Sequence, residues 1–414
     1  MSENVKVLGM APEKGRWIFV ALGLVMNLCL GSVYSWSVFR KPLEKWFSVG
    51  ATESGLPYML FLAFFAILMP IAGRWLNKYG PRVITIVGGV AVGAGWILSS
   101  FAQDMSLLIV SYGIIAGGGV GVVYGGPISV STKWFPDKKG LAVGLTLAGF
   151  GLSALITAPL ARLSIDFYGP LQTFAILGTV FLVIIVLLAI PLKFPSAGWK
   201  PSGWIPPVNS KVTVDFETFG MLKTKTFSGL WFCYVIGTLS GLMAIGIASP
   251  VGQEVIKLSP DTAALAVSIF AIFNGIGRPI FGWVTDRITP KYSAIISFII
   301  VLLASVGMLG AGEGAMVLYM ICFSGFWLSL GGWLAIAPTA TATFFGTKQY
   351  AKNYGVVFTA YGMGAILGTL ISGRLRDMFG SYVYAFYPTA ALAVIGIAIA
   401  ILTLRTPKKG VTSE

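Results

Sequence analysis

Apolar stretches alternate with short polar or Pro- and Gly-containing breaks along the whole chain. The stretches are 16 to 29 residues long, and a helix needs about 20 apolar residues to cross a bilayer. The pattern therefore predicts an all-α membrane protein with twelve transmembrane helices. The predicted spans are residues 17–39, 56–76, 83–101, 107–130, 141–165, 174–192, 227–248, 262–283, 294–309, 315–343, 354–371 and 384–404.

The longest polar interval falls between the sixth and seventh spans. Residues 194–226 include four prolines, as expected of a linker and not of a helix. We therefore predict two pseudo-symmetric six-helix bundles, 1–193 and 227–414, joined by a cytoplasmic linker.

A short loop motif occurs once in each half. Residues 73–82 (GRWLNKYGPR) follow the second span, and residues 282–291 (GWVTDRITPK) follow the eighth span 209 positions later. Asn77 and Asp286 occupy equivalent positions, and we expect both to be structural or gating residues. Parallel repeats of this size are typical of transporters that bind their substrate near the membrane midplane between the halves. The alternative is that Gly-rich helix ends resemble one another through composition alone.

Both loops fit the G-x-x-x-[DN]-[RK]-x-[GT]-[RP]-[RK] pattern of the major facilitator superfamily, which the chain resembles over its whole length. Three further segments resemble a narrower group. Residues 12–17 (PEKGRW) resemble a degraded form of the acidic-Gly-Trp box that opens monocarboxylate transporters. Residues 134–149 resemble the span-five signature of the same transporters. Residues 273–286 resemble span eight of the bacterial oxalate/formate antiporter branch. The resemblance implies the major facilitator fold and transport of small carboxylates.

Composition excludes most catalytic chemistry. Hydrophobic residues make up 56% of the chain and charged residues 11%, whereas soluble proteins are about a quarter charged. Histidine is absent, which removes His general bases, imidazole metal ligands and the Ser-His-Asp mechanism. The three cysteines lie in apolar runs without a CxxC pair, so no disulfide, metal or cofactor is predicted.

The formal net charge of +14 is explained by topology and not by nucleic-acid binding. With both termini cytoplasmic, the inner segments hold 21 Lys and Arg residues and the outer segments hold 7, in agreement with the positive-inside rule. The polar N-terminal stretch lacks a cleavage site, so the first span is expected to be retained. We predict a multi-pass protein of the cell inner membrane that functions as a monomer surrounded by membrane lipid.

Arg278 is predicted to be the only basic residue well inside a span. A charge at the bilayer centre costs about 3 kcal/mol on insertion scales, so one that is retained is usually functional. A guanidinium grips both oxygens of a carboxylate, and the resemblance assigns substrate binding to Arg278. The alternative is a snorkelling or structural arginine paired with Asp286. Asn274 lies one turn earlier and is expected to orient Arg278, bond a substrate oxygen or join two helices.

Departures from the family pattern favour a monoanion. The span-one lysine of animal monocarboxylate transporters aligns with Val38, and their span-eight aspartate aligns with Asn274. The span-eleven lysine that complements the second carboxylate in oxalate carriers aligns with Tyr361. The expected pocket therefore carries one positive charge, and a dianion such as oxalate would leave one buried carboxylate unpaired.

Aromatic and small residues are the other expected walls of the pocket. Asn27, Gly31, Tyr34 and Val38 fall on one helical face of span one, and Tyr124 lies in a Gly-rich run where small neighbours leave it unshielded. These residues are alternatively helix-packing residues. Two pairs at helical spacing near outer helix ends are predicted to be structural ion pairs or gate elements: Arg162 with Asp166, and Arg374 with Asp377.

The features favour one of three function classes, a secondary carrier, over a membrane enzyme or a channel. A secondary carrier accounts for the spans, the repeat and the intramembrane arginine. An enzyme lacks the required acids or histidine, and a channel lacks a charged or carbonyl ring. We therefore predict a transporter of small monocarboxylates of the L-lactate and pyruvate class, working by proton-coupled symport. The alternative within carriers is carboxylate exchange of the oxalate/formate type.

Overall fold

Helices make up nearly all of the described chain. The computed structural model describes residues 7, 9–196, 199–202, 204 and 215–407, except for the Asn77 side chain. The role predicted for Asn77 and much of the predicted linker therefore lie outside the described residues. The all-helical membrane fold predicted from the apolar pattern is confirmed.

The chain divides into two compact units, Met1–Pro207 and Val208–Glu414. The N-terminal unit contains six α-helices, with one 3-10 and one π segment between them. In order they are α1 (Pro12–Leu30), the 3-10 helix Gly31–Ser35, α2 (Trp36–Phe47), α3 (Ala51–Ser99), α4 (Met105–Leu108), the π-helix Ile109–Ala116, α5 (Gly117–Trp134) and α6 (Lys139–Ala189).

The C-terminal unit contains α7 (Thr218–Leu222), α8 (Lys225–Glu254), α9 (Pro260–Ile288), α10 (Pro290–Leu309), α11 (Met316–Phe345), α12 (Tyr350–Phe379), the 3-10 helix Tyr382–Ala385 and α13 (Phe386–Thr403). Local sequence fixes several of the helix starts. The Ser259 hydroxyl accepts from the Thr262 N–H at 3.2 Å and Pro260 follows it, which begins α9. The Thr224 hydroxyl caps α8 in the same way through the Phe227 N–H at 3.1 Å.

Left-handed backbone positions divide the long helices into single spans. Gly80 in α3 and Gly169 in α6 both have φ 81°, and each precedes a proline. Eleven helical segments of the described chain are long and apolar enough to cross a membrane, and dividing α6 at Gly169 gives the twelve that were predicted. Thr289 (φ 94°) and Gly380 (φ 75°) are the equivalent breaks of the C-terminal unit. They lie 209 and 211 positions after Gly80 and Gly169.

Glycines allow two helix pairs to pack backbone to backbone. A Cβ on Gly149 would collide with the Leu24 carbonyl oxygen, so α6 lies directly against α1. A Cβ on Gly331 would collide with the Asn274 carbonyl oxygen, so α11 lies equally close to α9. Small residues at such crossings are typical of membrane helix pairs.

The first span is longer than predicted and carries a buried cation. The chain stays helical through the 3-10 segment to Phe47, which places Arg40 inside the bundle with 1% of its surface exposed. Its Nε donates to Ser54 Oγ at 3.1 Å, its Nη2 donates to the Ala51 carbonyl oxygen, and Glu44 Oε1 lies 3.9 Å from Nε. The sequence placed Arg40 just after the first predicted span, and the structure buries its side chain within the helical bundle. These partners offset the cost of burying the Arg40 charge.

Candidate functional site

Arg278 is the charged residue farthest from a helix end in the described part of the C-terminal unit. It lies ten residues before Ile288, or about 15 Å of helix rise, and its side chain is half-buried. Pro279 follows it, so the Gly275 carbonyl loses its usual helical N–H donor. Asp286, the alternative partner of Arg278, is exposed and lies about 12 Å further along the helix axis.

Asn274 is fully buried between α9 and α11. Its Nδ2 donates to the Trp327 carbonyl oxygen at 3.2 Å. Its Oδ1 is buried without a hydrogen-bonding partner among the described residues. The sequence left three roles open for Asn274, and the structure shows one of them, an interhelical hydrogen bond made by its amide nitrogen. One buried acceptor is left over, a single turn from Arg278.

Tyr361 lies in an aromatic cluster between α12 and α8. Its ring stacks on Phe358 with centroids 5.0 Å apart and planes at 9°, and only 1% of its surface is exposed. Phe358 in turn contacts Tyr234 at 6.4 Å, and Tyr234 stacks on Trp333 at 5.9 Å. The structure thus places Tyr361 in packed surroundings, and its role in the pocket stays a prediction.

Tyr34 and Tyr124 come together in the N-terminal unit around one phenylalanine. Phe150 of α6 contacts the Tyr34 ring at 5.2 Å and the Tyr124 ring at 5.5 Å. Phe65 of α3 also contacts Tyr124, at 5.0 Å. Tyr124 is half-buried, with these aromatic rings of adjacent helices beside it as well as the small residues of its own helix. Its place in the pocket stays a prediction.

The predicted single face of the first span is interrupted at its centre. Residues 31–35 are wound as a 3-10 helix with about three residues per turn, which turns the following residues by roughly 100° relative to a continuous α-helix. Val38 therefore does not continue the face of Asn27. The Asn27 amide is fully buried and donates to the Gly23 carbonyl oxygen at 2.8 Å within its own helix.

Two predicted ion pairs have different outcomes. Arg162 Nη2 lies 2.7 Å from Asp166 Oδ1, so this pair is confirmed as a contact. The ion pair that the structure shows at Asp377 is with Arg376, at 3.7 Å, and not with the predicted Arg374. Arg376 also joins α12 to α8 through Glu254 at 3.2 Å. Helical spacing favoured Arg374 because residues at i and i+1 do not face each other on a helix.

Arg16 and Asp137 form an ion pair that the sequence reasoning missed. Arg16 Nη1 donates to Oδ1 at 2.5 Å and to the Trp134 carbonyl oxygen at 3.1 Å, and Nη2 donates to Oδ2 at 2.8 Å. The guanidinium also lies 4.4 Å from the Phe135 ring. The Arg16 hydrogen bonds hold the pKa of the Asp137 carboxyl below its usual value. The two segments that resemble monocarboxylate transporter motifs, 12–17 and 134–149, thus meet at this pair.

The C-terminal unit has a comparable contact ahead of its first long helix. The Phe216 N–H donates to the Phe345 carbonyl oxygen at 3.0 Å, and the two rings meet edge to face at 5.9 Å. Asp215 Oδ1 accepts from the Lys348 N–H at 3.1 Å. In the N-terminal unit the first turns of α1 are thus fixed to the end of α5 and the loop after it. In the C-terminal unit the segment before α7 is fixed to the end of α11 and the loop after it.

A family model accounts for almost the entire chain. The model of the Major Facilitator Superfamily matches residues 16–229 and again residues 230–414. The chain belongs to the Major Facilitator Superfamily. Together with the candidate spans, this membership makes it a multi-pass membrane transporter.

Its relatives within the superfamily include carboxylate carriers. The oxalate:formate antiporter of Oxalobacter formigenes is 30% identical, with 95% of this chain and 92% of that protein aligned. Human monocarboxylate transporter 11 is 25% identical over 93% of this chain and 82% of its own length. A bacterial homologue of the human lysosomal transporter Spinster has a similar fold, with a TM-score of 0.74, 16% identity, and 94% of this chain and 97% of that chain covered.

Proposed function

We propose that this superfamily member is a secondary active transporter of small monocarboxylates, of the L-lactate and pyruvate class, that works by alternating access and catalyses no bond change. The observation that carries the proposal is Arg278, a half-buried arginine about 15 Å from its helix end. A charge at this depth is costly unless it is paired, and charged residues retained within membrane helices typically mark substrate or ion pathways. Its planar guanidinium presents parallel N–H groups that match the two oxygens of a carboxylate.

Asn274 supports a substrate that carries a hydroxyl group beside its carboxylate. One of the two amide N–H groups donates to the Trp327 carbonyl oxygen, and the Oδ1 acceptor is buried without a hydrogen bond among the described residues. A carboxylate has no proton to donate to it, whereas a hydroxyl group or the Arg278 guanidinium does. Among the proposed substrates, L-lactate is the one that offers a donor here.

The charge balance supports a monoanion. Arg278 supplies one positive charge, and the position at which oxalate carriers are expected to place a second cation holds Tyr361, which is packed against Phe358. Because an unpaired buried carboxylate is costly, a second carboxylate lacks a partner at that position. The similarity to human monocarboxylate transporter 11 favours the same substrate class.

We propose proton symport as the transport mode, on the resemblance to monocarboxylate transporters. The proposed setting is the cell inner membrane with both termini cytoplasmic, which is supported by 21 basic residues in the inner segments against 7 in the outer ones. We propose that the monomer is the functional unit.

Exchange of two carboxylates is the second candidate. The observation that favours it is the 30% identity to the oxalate:formate antiporter over 95% of this chain. Symport and exchange differ in what the opposite side of the membrane must contain, because an exchanger needs a carboxylate there and a symporter needs only a proton gradient.

Uptake into proteoliposomes separates these proposals. Labelled L-lactate, pyruvate, formate and oxalate are offered to vesicles with or without internal unlabelled substrate, at clamped membrane potential. Symport predicts lactate and pyruvate uptake into empty vesicles with Arg278 intact, and loss of uptake in Arg278→Gln. Lys45→Gln, which removes an exposed cation of the other unit, is the matched control and is expected to transport normally. Uptake that requires internal carboxylate would favour exchange, and failure to take up either monocarboxylate would refute the proposed substrate class.

A further inference from the structure

A groove of about 700 Å³ opens where α12 ends and α13 begins. Its walls are almost entirely apolar and include Leu370, Ile371, Met378 and Tyr387. The exposed fractions of Met378 and Tyr387 are 72% and 57%, so the groove faces outward from its unit. Unlike the aromatic cluster around Tyr361, it is open along its length.

The residues at this end of α12 are of the types found at a membrane interface. Arg374 lies five residues, or about 8 Å of helix rise, before the end of α12 at Phe379. Tyr384 also lines the groove, and its ring centroid lies 4.8 Å from that of Phe379 and 6.3 Å from that of Tyr387. Tyrosines concentrate at the level of lipid headgroups, where the ring is apolar and the hydroxyl is hydrated.

Arg374 places a positive charge in the wall of the groove. It is the one charged residue among those lining the groove in the described part of the chain. Asp377, three residues after it, and Glu254 of α8 form their observed ion pairs with Arg376, at 3.7 and 3.2 Å. An exposed guanidinium beside an apolar groove complements a ligand with an anionic head and a hydrocarbon tail.

We propose that this groove binds one anionic phospholipid, with its phosphate on Arg374 and an acyl chain along Leu370, Ile371 and Met378. A second copy of the chain is a less suitable occupant, because one cation beside an open apolar groove matches an anionic headgroup with a hydrocarbon tail. The two tyrosines flank the headgroup. The site is separate from Arg278 and does not depend on the proposed substrate.

Lipid binding to the purified full chain tests the proposal. Delipidated protein in detergent is titrated with phosphatidylglycerol and with phosphatidylcholine of identical acyl chains, and bound lipid is counted by native mass spectrometry. One phosphatidylglycerol per chain is expected to bind about fivefold more tightly than phosphatidylcholine. Arg374→Gln is expected to abolish the preference, Arg374→Lys to retain most of it, and Lys45→Gln to leave it unchanged.

Three results would overturn the proposal. They are equal affinity for the two lipids, a preference unchanged by Arg374→Gln, and a groove occupied by a second chain, seen as a dimer that Arg374→Gln dissociates. Thermal unfolding of Arg374→Gln in phosphatidylcholine is expected to match the wild type, because the side chain is exposed. Loss of lipid preference would then report on the site and not on the fold.

Discussion

The side-chain amide of Asn274 donates to the Trp327 carbonyl oxygen at 3.2 Å across the contact between α9 and α11. This bond fixes the orientation of the amide and leaves Oδ1 as a buried acceptor one turn from Arg278. Gly331 makes the bond reachable, because the absence of its side chain lets the two backbones touch. The Oδ1 acceptor would therefore complement a hydroxyl group or the guanidinium, and not a substrate carboxylate.

Changing Asn274 to Asp is expected to weaken lactate binding at least about tenfold, which corresponds to about 1.4 kcal/mol. The new carboxylate cancels the single positive charge of Arg278 and removes the donor to Trp327. Asn274→Ala is the control, since it removes the same hydrogen bond but leaves the charge in place. Affinities measured by isothermal titration should fall further in the Asp variant than in the Ala variant, and an equal fall in both would contradict the role of charge.

Replacing Tyr361 by Lys is expected to weaken monocarboxylate transport and to create oxalate binding. A second cation stabilises the second carboxylate of a bound dianion, but it leaves an unpaired positive charge when the pocket holds a monoanion. Tyr361→Phe, which keeps the stack on Phe358 without adding charge, should gain no oxalate binding. Affinities are compared at matched ionic strength because exposed charges are screened. If the wild type already binds oxalate more tightly than lactate, the monoanion proposal is wrong.

Lactate entry into proteoliposomes is expected to be faster when the outside is more acidic than the inside. In symport the proton enters with the anion, so the gradient drives uptake. A protonophore should abolish the effect at clamped potential. An uptake rate that does not change with an imposed pH gradient would rule out proton symport and favour exchange or uniport.

Asp137→Asn is expected to destabilise the protein at pH 7 by about 2 kcal/mol, the usual range for a hydrogen bond to a charged group. Because the folded pKa of Asp137 is lowered, its stabilisation is complete above the unfolded pKa of about 4 and is lost as the pH falls through the lower folded value. Thermal unfolding of variant and wild type should therefore converge only in strong acid.

Asp166→Asn is the matched control for that experiment. It breaks the pair with Arg162 within one helix, where the Asp166 side chain is 43% exposed, and exposed pairs contribute about 0 to 1 kcal/mol. Equal destabilisation by both variants would show that burial of Arg16 does not strengthen the Arg16–Asp137 pair relative to the exposed Arg162–Asp166 pair.

Most of the helical layout was readable from the sequence because its signals are local. Gly80-Pro81 and Gly169-Pro170 mark breaks that a hydropathy pattern alone would blur, and the structure has positive φ at both glycines. The 3-10 segment 31–35 carries no such marker. The burial of Arg40 that follows depends on partners supplied by the first turn of α3.

The candidate site was predictable only where one helix carries the information. Arg278 stands out as a charge within one apolar run, and Asn274 by its position one turn earlier; the substrate-binding role of Arg278 is what the family resemblance implies. The contact of Arg16 with Asp137 joins residues 121 positions apart, and the Phe150 contacts of Tyr34 and Tyr124 join three separate helical segments. Spacing along the chain contains no signal for such contacts, because they depend on how the helices pack.

The assignment of Arg278 as the carboxylate-binding residue is best tested by the L-lactate affinity of purified Arg278→Lys beside the wild type and Lys45→Gln. Lysine keeps the charge but cannot make the two-pronged contact of a guanidinium. We predict at least a tenfold loss of affinity in Arg278→Lys, with unchanged thermal unfolding, and normal affinity in Lys45→Gln. Lactate binding by Arg278→Lys at wild-type affinity would contradict the assignment.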